Sequence, residues 1–120
     1  MPAAPPVYLS AEDIRRALPM ADAVAAVKEA FLDLDRGAVV MPPRTAIASP
    51  SGDEVALIMP CRSSANARLS VKLITLYDRN PASGLPRAQA LIVLADASNG
   101  VPLAVLEGGA LTALRTGAVS

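Results

Sequence analysis

Three cations stand out for where they fall in the chain. Arg44 follows Pro42-Pro43 and opens a stretch of alternating residues. Lys72 interrupts an otherwise apolar run containing Val71, Leu73, Ile74 and Leu76. Arg115 sits one turn into a final helical pattern, four residues after Leu111. A charge buried without a partner costs several kcal/mol, so Lys72 must be at a sheet edge or matched by an anion. Converged on one point, the three would hold a carboxylate, arginine through a planar fork and lysine through a mobile point charge. Each also has an ordinary reading. A lysine in an apolar strand is often an edge-strand gatekeeper. Arg115 could lay its stem along the helix, and Arg44 could be a plain surface residue.

Other chemistry is thinner. Cys61 precedes Arg62, which could favour the thiolate, although a lone cysteine more often serves as a small hydrophobe. Asp78, Asn80 and Ser83 lie in a loop long enough to line a pocket or simply to be solvated. Gly108-Gly109 ahead of a helix could approach a phosphate, or form a hinge or tight strand-to-helix turn. No two carboxylates have a spacing that suggests acid/base work. Histidine is absent and cysteine occurs once. That excludes histidine-based triads and ordinary zinc sites. The single cysteine also precludes an intrachain disulfide, which fits a reducing cytoplasm. Net charge is zero and basic residues are scattered, so nothing invites nucleic acid or an anionic membrane. No signal peptide is visible, and no apolar run nears the ~18 residues of a membrane span.

The elements that must position these residues can be read from the pattern. At 120 residues, 52% hydrophobic and 18% charged, the chain is about one globular domain. Aromatics make up only 2%, so a core must come from aliphatic side chains. Pro2 to Pro6 is an extended leader, and Val7-Tyr8-Leu9 a short strand. Ser10 with Asp13 resembles a capping box opening a helix to about Leu18, where Pro19 breaks it. A second helix runs from about Met20 to Arg36, with Val24, Val27, Phe31 and Leu34 on one face and Gly37 as its stop. The period then changes. Strands are expected over Arg44–Ser49, Val55–Met59, Leu69–Tyr77, Gln89–Ala95 and Val101–Leu106. Turn clusters at Pro50–Asp53 and Ala97–Gly100 each close a hairpin, and Cys61–Ala67 and Asp78–Gly84 read as loops. Helices and strands are segregated, which predicts an α+β domain with a mixed or mainly antiparallel sheet packed by the N-terminal helices. No Gly-x-Gly-x-x-Gly follows a strand. The last twelve residues, Gly109 to Ser120, open a helix that nothing closes, so the chain is expected to be the front part of a larger protein.

Several segments together resemble one family. They are Met41-Pro42-Pro43-Arg44, Val71-Lys72-Leu73-Ile74-Thr75, Asn80 to Pro86, Gln89 to Ala104, and Leu111 to Ser120. In this order they resemble the N-terminal part of the ornithine cyclodeaminase/mu-crystallin family. The resemblance implies a substrate-binding and dimerising domain placed ahead of a Rossmann NAD(P) domain that this chain lacks. It implies hydride transfer between NAD or NADP and the Cα of a small amino or imino acid. Arg44, Lys72 and Arg115 match the family's carboxylate-binding set, and Lys72 would stand near the reacting carbon as the catalytic position. Thr116 matches a position near the cofactor phosphates. Arg87 occupies a place where many relatives carry a cofactor-contacting Thr or Ser. The resemblance also admits a mu-crystallin-like ligand-binding protein, and a stand-alone oligomerisation module is a third possibility. A homodimer in the cytoplasm is expected, with the isolated chain catalytically silent.

Overall fold

The computed structural model of the chain describes residues 4–120. Of the expected leader, Pro2 and Ala3 lie outside the described residues, and Ala4 to Pro6 has no regular structure. The elements are β1 (Val7–Leu9), α1 (Ala11–Ala17), α2 (Met20–Asp35), β2 (Val39–Val40), β3 (Thr45–Ala48), β4 (Glu54–Ser63), β5 (Arg68–Tyr77), β6 (Ala88–Asp96), β7 (Pro102–Glu107) and α3 (Gly108–Val119). The strands form one sheet in the order β1-β7-β6-β5-β4-β2, with β3 also on the outer edge of β4. Every pairing is antiparallel except β1 with β7. The expected α+β class is therefore what the chain adopts.

Local chemistry explains the helix ends. The Ser10 hydroxyl accepts from the Asp13 amide at 3.2 Å, and the Ser10 amide donates to the Asp13 carboxylate at 3.0 Å, a complete capping box for α1. At the end of α2, Gly37 takes φ +74°, a left-handed conformation that a side chain would strain.

The segment expected as a loop over Cys61–Ala67 is mostly strand. β4 and β5 pair without interruption from Glu54↔Tyr77 to Ser63↔Arg68, and only residues 64–67 turn. Hydrogen bonding to a long partner overrides the weak strand preference of Pro60, Cys61 and Arg62. Pro60 is tolerated because it falls where one edge of β4 changes partner. The β3 pairing ends at Ile58 and the β2 pairing begins at Arg62.

Helices lie on the sheet face that carries Lys72. α1 meets β1 and β7, α2 meets β2, and α3 lies along β6 and packs against both other helices. The apolar face predicted for α2 is only partly covered: Ala23 is buried, while Val24 and Phe31 stay exposed. Val27, Phe31 and Leu34 line a cavity between α2 and the sheet. β7 runs into α3 without a connecting loop. That abrupt entry needs Gly108, since a Cβ there would stand 2.6 Å from the Cβ of Ala90 on β6.

Candidate functional site

Lys72 lies on β5, which β4 and β6 flank on either side, so it is not an edge gatekeeper. Its directly opposed neighbours are Met59 and Ile92, both apolar. Strand alternation sends Lys72, Ser70 and Ile74 to the helix-covered face. There the side chain reaches α3, and Nζ donates a hydrogen bond of 2.7 Å to Oγ1 of Thr112. Burial holds the pKa of Lys72 below the ordinary lysine value, and the neighbouring Arg115 guanidinium pushes the same way.

Thr112 and Arg115 are three residues apart on α3 and so share a helix face. Together with Lys72 they line a cavity of about 540 Å³. Its other walls are α2, through Val27, Phe31 and Leu34, and the sheet, through Val39, Cys61 and Ile92. The acid among the lining residues is Asp33, which is 7% exposed and bridges at 3.2 Å to Arg36, the residue that ends its own helix. Among the described residues neither Lys72 nor Arg115 has a carboxylate partner. Two cations without counter-ions, the half-buried Lys72 and the exposed Arg115, lining a mostly apolar cavity, form a site suited to an anion.

The remaining candidates lie elsewhere. Arg44 is exposed and does not line the cavity. The chain leaves the cavity wall at Met41, and Pro42-Pro43 leads it to the outer edge of β4. The β3–β4 register ends at Thr45↔Ile58, and one further step would set Arg44 opposite Met59, the residue paired with Lys72. Arg87 is exposed and its Nε donates to the Asp78 carboxylate at 2.7 Å. Thr116 is exposed on α3, away from the cavity lining. In the loop, Asn80 donates to the Pro86 carbonyl at 3.0 Å, so both it and Asp78 are engaged locally. Cys61 does line the cavity, on the same face as Lys72.

The N-terminus of α3 is closed to a phosphate. The Glu107 carboxylate accepts from the amides of Gly109 and Ala110 at 2.7 and 2.8 Å. It takes the donors an anion would use and adds a negative charge of its own.

Two residues of this arrangement escaped the sequence reading, Thr112 and Glu107. Thr112 had a usable signal, since it precedes Arg115 by one turn. Glu107 just before a Gly-Gly helix start had a weaker one, because Glu is not a favoured cap.

The comparisons with known proteins bear on the family and the fold. Residues 5–120 match the model of the ornithine cyclodeaminase/mu-crystallin family. A ketimine reductase mu-crystallin from Mus musculus is 35% identical over 119 residues, 96% of this chain and 38% of that protein. The solved structure of Thermococcus litoralis Delta(1)-pyrroline-2-carboxylate reductase, in complex with NADH and L-proline, superposes with a TM-score of 0.88 at 37% identity. That match covers 94% of this chain and 35% of the solved one. An archaeal alanine dehydrogenase dimer with bound NAD superposes with a TM-score of 0.87 at 31% identity, covering 95% of this chain and 34% of its own. The chain thus spans little more than a third of the length of these relatives. With the family pattern running from residue 5 to residue 120 and the same fold in its solved relatives, this chain belongs to the ornithine cyclodeaminase/mu-crystallin family.

Proposed function

We propose that this chain supplies the carboxylate-binding part of an NAD(P)-dependent protein that converts a small amino or imino acid at its Cα. The observation that carries the reading is the pair Lys72 and Arg115, two cations lining one cavity with no carboxylate partner among the described residues. Support comes from relatives that include a reductase holding NADH and L-proline. Fixing the carboxylate orients the adjacent carbon, and orientation of that kind lowers a barrier by several kcal/mol. Arg44 is exposed and outside the cavity lining, so its part in holding the substrate rests on the family resemblance alone. The described residues do not fit a dinucleotide: there is no glycine-rich turn after a parallel strand, and Glu107 closes the one helix start that follows a strand directly. The chain's own part in the reaction is to hold substrate, and Thr116 and Arg87 would serve the cofactor only from the outer surface.

We also infer a homodimer. The sheet face opposite Lys72 leaves Tyr8, Ile47, Leu69, Leu73, Leu91 and Val93 exposed, an apolar surface suited to a second copy. The free thiol of Cys61 is compatible with a reducing cytoplasm. Among the described residues no helix is long and apolar enough to cross a membrane.

The test is an assay of NADH and NADPH oxidation with Δ1-pyrroline-2-carboxylate, using the longest protein whose reading frame contains this chain. Turnover that Lys72→Met abolishes is expected. Turnover unaffected by Lys72→Met, or no turnover with any small amino or imino acid, overturns the reading.

A further inference from the structure

We propose that Thr112 is the positioning residue of this anion site: its hydroxyl holds the Lys72 ammonium against α3, one turn from Arg115, so that both cations address the same carboxylate. The inference rests on the carboxylate-site reading above and adds a residue to it.

A lysine side chain is long, and an anion that recruits it must first restrict its rotamers. Here that restriction is in place without ligand, because Nζ already donates to Oγ1 of Thr112 at 2.7 Å. The ammonium has three hydrogens, and one hydrogen bond leaves two for a ligand. The hydroxyl accepts from Nζ and retains its own hydrogen. A threonine within a helix commonly bonds back to the carbonyl four residues earlier, which here is Gly108. No such bond occurs among the described residues. The Thr112 hydrogen is therefore available to a carboxylate oxygen lying between Lys72 and Arg115.

The surroundings give Lys72 little else to bind. From β4 it faces Met59 and Cys61, from β6 Ile92, from α3 Arg115, and across the cavity from α2 Asp33, which is engaged with Arg36. Thr112 is thus the neutral acceptor that keeps the ammonium beside a like charge until an anion arrives.

The chain contains two lysines, Lys72 and the exposed Lys28, so the test is clean. Carbon-13 NMR of the lysine Cε resonances follows the Lys72 titration with Lys28 as internal reference. Pyrrole-2-carboxylate, a planar carboxylate, serves as the probe for affinity. Thr112→Val keeps the side-chain shape and removes the acceptor. It is expected to move the Lys72 midpoint further down, since the charged form loses its hydrogen bond, and to weaken probe binding by about tenfold. Thr112→Ser is expected to restore both to within about threefold of the parent. A purely packing role for Thr112 would leave the titration where it was. The proposal is overturned if Thr112→Val changes neither midpoint nor affinity while Lys72→Met abolishes binding. If Lys72→Met also leaves binding intact, the carboxylate-site reading falls with it. Should the valine variant fail to fold by circular dichroism, Thr112→Ala is read in the same way.

Discussion

Lys72 is costly to the ligand-free fold, and that cost is a measurable signature of a binding role. Its pKa in the folded chain lies below the ordinary value because of burial, with Arg115 adding repulsion. Between that lowered pKa and the unfolded one, the unfolded chain binds more protons. Stability therefore rises with pH across the window and is at its penalised level below it. Lys72→Met is expected to melt at a higher temperature than the parent at neutral pH and to lose this rise, as thermal denaturation across pH would show. Carboxylate affinity should run the opposite way, falling as pH climbs through the lowered Lys72 pKa, because only the ammonium attracts the anion; calorimetric titration at several pH values checks this. Arg115→Lys keeps the charge and loses the planar fork, so probe affinity is expected to drop by about tenfold. Lys72 and Arg115 were legible in the sequence because a charge in an apolar pattern demands an explanation. Thr112 offered only its place one turn before Arg115, because its bond to Lys72 spans forty residues. Arg44 shows the opposite limit: its motif is clear, but the prolines before it take the chain to the sheet edge.

The elements divide into those set by local signals and those set by partners. The capping box of α1, the Gly37 stop and the apolar runs of β5 and β6 are all local, and each was readable. The extension of β4 through Pro60 and Cys61 depends on β5 alongside, which no local pattern records. The role of α3 likewise depends on a contact. Gly108→Ala is expected to destabilise the chain by about 1–3 kcal/mol, because Ala90 leaves no room for a methyl group. Denaturant unfolding measures it, and a neutral result would mean that the start of α3 lies less tightly against β6 than the Gly108–Ala90 approach requires. Glu107→Ala should cost about 1 kcal/mol through loss of the two amide bonds at the helix start. Since those amides hold Lys72's partner helix in place, probe affinity should fall in the same variant.

At the scale of the whole molecule the sheet has two faces with different work. One carries Lys72 and is roofed by helices around a cavity; the other is a broad apolar surface including Leu73, Leu91 and Val93. High apolar content was visible in the composition, but which face would remain uncovered required the register. If the proposed homodimer forms through this face, Leu91→Lys is expected to convert it into a monomer by light scattering without altering probe affinity, because Leu91 and Lys72 point to opposite faces. The most direct measurement of the central claim is a crystal structure of the chain with pyrrole-2-carboxylate bound. The carboxylate is predicted within about 2.7–3.1 Å of Lys72 Nζ and of the Arg115 guanidinium. A ligand seated instead against Leu73, Gln89 and Leu91 on the opposite face, or one whose carboxylate points away from Lys72, would contradict it.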